Sequence, residues 1–147
     1  QEARERKAAA ERMAQMEAVR RDKQLMQRYR DENAHRRARE AALDTVRLAI
    51  KATEARMREL EAERKPLELE AEFYKGKALP SKIKLGLEAN DAAVEAQKEA
   101  AATQQAELAR VNGLFDVELT RLRKLWTGAT PGSMGPLPQP EAPKGAR

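Results

Sequence analysis

Two long stretches in which apolar residues recur at alternating intervals of three and four constrain this chain more than anything else in it. The first runs from Leu43 through Val46, Ile50, Leu60 and Leu67 to Tyr74, and the second from Leu87 through Val94, Leu108, Val111 and Phe115 to Leu125. Such spacing keeps one seam of an α-helix apolar and lets it zip onto a partner helix. Between them lies Lys75-Gly76-Lys77-Ala78-Leu79-Pro80-Ser81-Lys82. Gly76 supplies a helix stop and Pro80-Ser81 a restart, so the chain is expected to turn back at about residues 75–82. The fold predicted is therefore all-α: an elongated antiparallel helical hairpin, a coiled coil, over residues 43–126.

Equal rise in the two helices makes positions whose numbers sum to about 158 face each other. Ile50 then meets Leu108, Val46 meets Val111 and Leu43 meets Phe115, apolar on apolar in each case. Nearer the turn, Leu60 meets Gln97 and Thr53 meets Gln104, so that region is thinly packed, either mobile or open to a helix from a second copy. Pro66 removes one backbone donor, and because the apolar phase continues through Leu67 and Ala71 a kink is expected there, not an end.

Residues 1–42 form a charged helical arm without Gly or Pro, with 12 Lys/Arg against 8 Asp/Glu. Residues 43–126 balance at 15 against 15, so the basicity of the whole chain, +5, belongs mostly to the arm. Its apolar residues do not hold one seam, which fits a solvated extension or a surface that docks on a partner. Leu122, Leu125 and Trp126 outlast the first repeat and need cover from the arm around Tyr29 to Arg39 or from another protomer. A helix running from the arm into the hairpin is the expected source. Residues 127–147 turn abruptly to Pro and Gly and are expected to be a disordered tail.

Few residues in the chain are of a type or spacing that carries chemistry. His35 stands alone in a polar segment expected to be exposed, and with no Cys in the chain no multi-ligand metal site is expected. Glu68, Glu70 and Glu72 lie at spacings that send them to different helix faces, which suits solvation better than acid–base work. Tyr74-Lys75-Gly76-Lys77 lacks the glycine-rich loop and Ser/Thr of a phosphate cradle. No catalytic residue, cofactor or small-molecule substrate is expected, and no apolar run approaches the ~20 residues of a membrane span.

Recognition is the remaining class. Phe73, Tyr74, Lys75, Lys77 and Leu79 make a small apolar and basic tip, which either closes the hairpin end or contacts a partner. Trp126 is either a seam plug or a partner anchor, since tryptophans concentrate at binding hot spots. Arg20, Arg21, Arg28, Arg30, Arg36, Arg37 and Arg39 would contact nucleic acid or another anionic polymer, although interspersed acids and scarce aromatics favour plain solvation.

The runs Arg21-Asp22-Lys23-Gln24-Leu25-Met26-Gln27-Arg28-Tyr29, Ile50 to Arg56, and Glu70-Ala71-Glu72-Phe73-Tyr74-Lys75-Gly76-Lys77-Ala78-Leu79-Pro80 resemble a group of uncharacterised proteobacterial exported proteins. These carry a signal peptide ahead of a charged coiled-coil region. The resemblance covers residues 20–126 and rests most on the Phe-Tyr-Lys-Gly-Lys turn. It implies a periplasmic or envelope setting, with the signal peptide removed, and no activity; the alternative setting is cytoplasmic. The start at Gln1 fits an expectation that a leader has been trimmed. A non-enzymatic scaffold or adaptor, working through self-association or a protein partner, is the function this reading predicts.

Overall fold

The computed structural model describes residues 1–140. Three helices account for nearly all of them: α1 (Glu2–Arg28), α2 (Glu32–Glu72) and α3 (Ser81–Trp126). No strand occurs among the described residues. The helices gather into two compact units, one of residues 44–108, the other of residues 1–43 with the chain from 109 onward.

In the first of these units, α2 and α3 form the antiparallel hairpin expected from the repeats. Val46, Thr53 and Leu60 on α2 are buried, as are Ile83 and Asn90 on α3. Their seven-residue steps are the heptad signature of a coiled-coil seam. Thr53 and Gln104 face each other as predicted, the Gln104 amide donating to Thr53 Oγ1 at 2.8 Å. Closer to the turn the seam is polar by construction. Asn90 Nδ2 donates to the Leu60 carbonyl at 2.9 Å, while Arg64 donates to Asn90 and Asp91 at 3.0 and 2.6 Å. Asn90 is a seam side chain that reaches a backbone oxygen, the Leu60 carbonyl one turn before Arg64. Helix α2 passes through Pro66 without ending.

The other unit packs α1, the first turns of α2 and the last turns of α3 around Leu25, Tyr29, Leu122 and Leu125. The arm is therefore partly core, not wholly a solvated extension: Ala18, Asp22, Leu25 and Tyr29 are all buried. The arm is not one helix: α1 ends at Arg28, and the continuous run from the arm into the hairpin begins at Glu32, as α2. Tyr29 adopts an extended conformation (φ −127°, ψ 100°) while its amide still bonds the Leu25 carbonyl. Two residues later the Asp31 carboxylate accepts the Ala34 N–H at 2.8 Å and starts α2 as an N-cap. A capping aspartate does here what Gly or Pro would do elsewhere. His35, expected to be exposed, is only 1% exposed. The break turns the first turn of α2 inward, where the imidazole meets the edges of the Tyr29 and Phe115 rings at 4.8 and 5.2 Å.

Helix α3 closes in a Schellman arrangement: Gly128 N–H bonds the Leu125 carbonyl, Ala129 N–H bonds the Lys124 carbonyl, and Gly128 takes φ +107°. Part of the tail expected to be disordered, residues 141–147, lies outside the described residues. The part before it is seated. Thr130-Pro131-Gly132-Ser133 makes a tight turn closed by Ser133 N–H on the Thr130 carbonyl, with Pro at the second position and Gly132 at φ +86°. Ala129, Met134 and Leu137 then rest on the Leu25–Leu122 core. Composition forbids this segment a core of its own, but not a seat on another.

Candidate functional site

The hairpin end is built by the exhaustion of α2. Its last bonds tighten to three-residue spacing, with the amides of Phe73, Tyr74 and Lys75 bonding the carbonyls of Glu70, Ala71 and Glu72. Gly76 at φ +79° then turns the chain away. The inward side of this end closes on Ile83, which is 5% exposed, and on Leu67, whose methyls lie so near Gly86 that a Cβ there would stand 3.1 Å away.

The outward side stays open. Leu69 and Phe73, one turn apart on the same face, are 68% and 84% exposed, and Lys65, Glu68 and Glu72 flank them. Tyr74 and Leu79 are exposed to about half that degree, and Lys75 and Lys77 are exposed beside them. Of the two readings of the tip, Ile83 closes the end and Phe73 does not take part. Sequence reasoning named Phe73 but passed over Leu69. Its signal was present: Leu69 sits outside the seam phase set by Leu60, Leu67 and Ala71.

Trp126 lies elsewhere, half-buried against the Leu25–Leu122 core, with its indole N–H donating to the Tyr29 carbonyl at 3.1 Å. That geometry is the seam plug: the bond satisfies the backbone oxygen left at the break between α1 and α2.

The arginines of the arm do not converge. Arg39 is tied to Asp116 at 2.6 Å with its guanidinium over the Phe115 ring, and Arg28 lies against the Tyr29 ring. Arg20, Arg30, Arg36 and Arg37 are exposed and Arg21 is half-buried. Arg39 in particular already has the carboxylate that a phosphate would have to displace.

A second polar centre went unforeseen. Asp22 on α1 and Arg121 on α3 pair at 3.2 Å, their side chains 1% and 6% exposed. Nearby, His35 Nε2 lies 3.2 Å from Glu118 Oε1. Burial, and then the Glu118 carboxylate, raise the Tyr29 phenol above its ordinary value, opposed by a hydrogen bond and charge from Arg28. No sequence signal near residue 22 marks its partner, which lies on another helix. Among the described residues no His, Asp and Glu cluster suited to a metal ion occurs, and no helix is long and apolar enough to cross a membrane. Compared with protein-family models, curated proteins and solved structures, the chain matches none.

Proposed function

We propose that this chain is a non-enzymatic helical scaffold or adaptor of the bacterial cell envelope, which holds a protein partner at the end of its hairpin. The observation that carries this is the exposure of Phe73 and Leu69 together, at 84% and 68%, at the C-terminal end of α2 and in the turn that follows it. Each large apolar side chain left in water forgoes ~1.5–3 kcal/mol of burial, and an adjacent pair at a rigid helix end is a ready-made anchor for an apolar pocket. The coiled-coil seam beneath it fixes the pair's position. The envelope setting is supported by the resemblance of the Phe73-Tyr74-Lys75-Gly76-Lys77 turn. The anionic-polymer reading has weaker support, because Arg39 is tied to Asp116 and acids are interspersed through the arm.

A photocrosslinking residue at position 73, with position 58 on exposed α2 surface as control, tests the reading in cells. The captured protein is then purified and titrated against the Phe73→Ser chain. One protein captured from 73 and not from 58, whose affinity falls by about thirtyfold on Phe73→Ser, is the expected result for a hot-spot aromatic. Capture of a second copy alone, or an affinity indifferent to Phe73→Ser, removes the hairpin end from the role.

A further inference from the structure

Gln15, Val19 and Asp22 recur on one face of α1, and across from them α3 presents Arg121; the segment after α3 lies on this face. Its hydrogen bonds to these helices all use the segment's backbone atoms. The Asp22 carboxylate accepts the Gly132 N–H at 2.8 Å, Gln15 Nε2 donates to the Gly132 carbonyl at 3.3 Å, and Arg121 donates to the Gly135 and Pro136 carbonyls at 2.8 and 3.0 Å. At Gly132 there is no room for a side chain. A Cβ would stand 2.5 Å from Val19 Cγ2 and 3.2 Å from the Val19 backbone nitrogen, and φ is +86°.

These features read as ligand recognition more than as folding. A carboxylate and a guanidinium, both buried, are aimed at one amide and two successive carbonyls; a slot excludes every residue but glycine; and Leu25 and Leu122 offer an apolar floor to Met134 and Leu137. The segment contributes no helix or strand of its own, and its link to α3 passes through Gly128 at φ +107°. We propose that this face of α1 and α3 is a groove for an extended peptide, and that residues 129–137 occupy it as a releasable internal ligand. The partner it fits is a segment of another chain with the same chemistry: a prolyl-glycine turn, two successive carbonyls three residues on, and an apolar side chain after them. Such a segment would enter by displacing the tail, competing with an occupant held near at millimolar effective concentration.

The test uses the full chain carrying Gly132→Val, which unseats the internal segment, and a fluorescent synthetic peptide of residues 128–140. The peptide should bind the Gly132→Val chain saturably and bind the unaltered chain at least about tenfold more weakly, because there the cis segment competes. A peptide with valine at position 132 should bind neither. Absence of binding to a Gly132→Val chain that keeps its helical circular dichroism, or equal binding to both chains, overturns the proposal. Should that variant lose its helices, hydrogen exchange of the unaltered chain decides. A Gly132 amide that exchanges at least tenfold faster than the Leu122 amide supports a releasable segment; matched rates mean it opens only on global unfolding, and overturn it.

Discussion

The carboxylate of Asp22 and the guanidinium of Arg121 meet at 3.2 Å across α1 and α3, and the pair has almost no exposed surface. Neither charge is left half-solvated. Asp22 also takes the Gly132 N–H, and Arg121 also donates to two carbonyls of the same segment. A buried ion pair recovers its desolvation cost only with such additional bonds. The pair therefore ties the two helices to each other and both to the segment after α3.

Removing one partner should be far worse than removing both. Asp22→Ala leaves a buried guanidinium without a counter-charge and should cost ~3–5 kcal/mol. Asp22→Ala with Arg121→Leu should cost clearly less than the two single changes added together. Urea unfolding of the three variants reads this directly, and an unshifted midpoint for Asp22→Ala would show that the pair does not hold the helices.

The phenol of Tyr29 supplies a pH test. Its pKa is raised, first by burial and then by the Glu118 carboxylate. The folded state thus holds this proton at pH values where the unfolded chain has released it. The associated stabilisation is complete below the unfolded value near ~10 and is lost as pH climbs through the higher folded value. In a Tyr74→Phe chain, where Tyr29 is the sole tyrosine, tyrosinate absorbance should rise at higher pH for the native protein than in concentrated urea. Coincident titrations would place Tyr29 in solvent.

The hairpin was legible because its signal is local and repeated. Leu43, Val46, Ile50 and Leu60 mark a seam in any context, and Gly76 and Pro80 punctuate it. Even the pairing of Thr53 with Gln104 followed from helix rise alone. The other unit was less legible, because its decisive residues are polar and their burial depends on distant partners. Nothing near Asp22 announces Arg121, and nothing near His35 announces Phe115 and Glu118. The break at Tyr29 was hidden for a related reason: a capping Asp31 looks like any other acid in a charged arm. As for the tail, its Pro and Gly content says that it cannot build a core, while the seat of Gly132 is a property of Val19 and Asp22.

The Thr53–Gln104 layer offers a test of polar residues in the seam. Thr53 Oγ1 donates to the Ala49 carbonyl and accepts from Gln104, whose own Oε1 is buried without a protein partner. Thr53→Val strands the Gln104 amide and should destabilise by ~1–3 kcal/mol, whereas Thr53→Val with Gln104→Leu should be neutral or stabilising. Thermal melts order the three chains. A double variant less stable than Thr53→Val would mean that this layer depends on its polar pair.

Leu60 in α2 and Phe73 just past its end separate folding from recognition. Leu60 is 1% exposed in the seam, so Leu60→Ala leaves a cavity and should cost ~2–5 kcal/mol. Phe73, at 84% exposed, makes no comparable packing, and Phe73→Ser should change stability by no more than ~0.5 kcal/mol. Urea midpoints of the two variants would therefore diverge although both lose a large apolar side chain. A Phe73→Ser chain as damaged as Leu60→Ala would mean that this phenyl ring supports the hairpin end, and its openness to a partner would have to be given up. A chain that keeps its midpoint while losing partner binding would assign Phe73 to recognition alone.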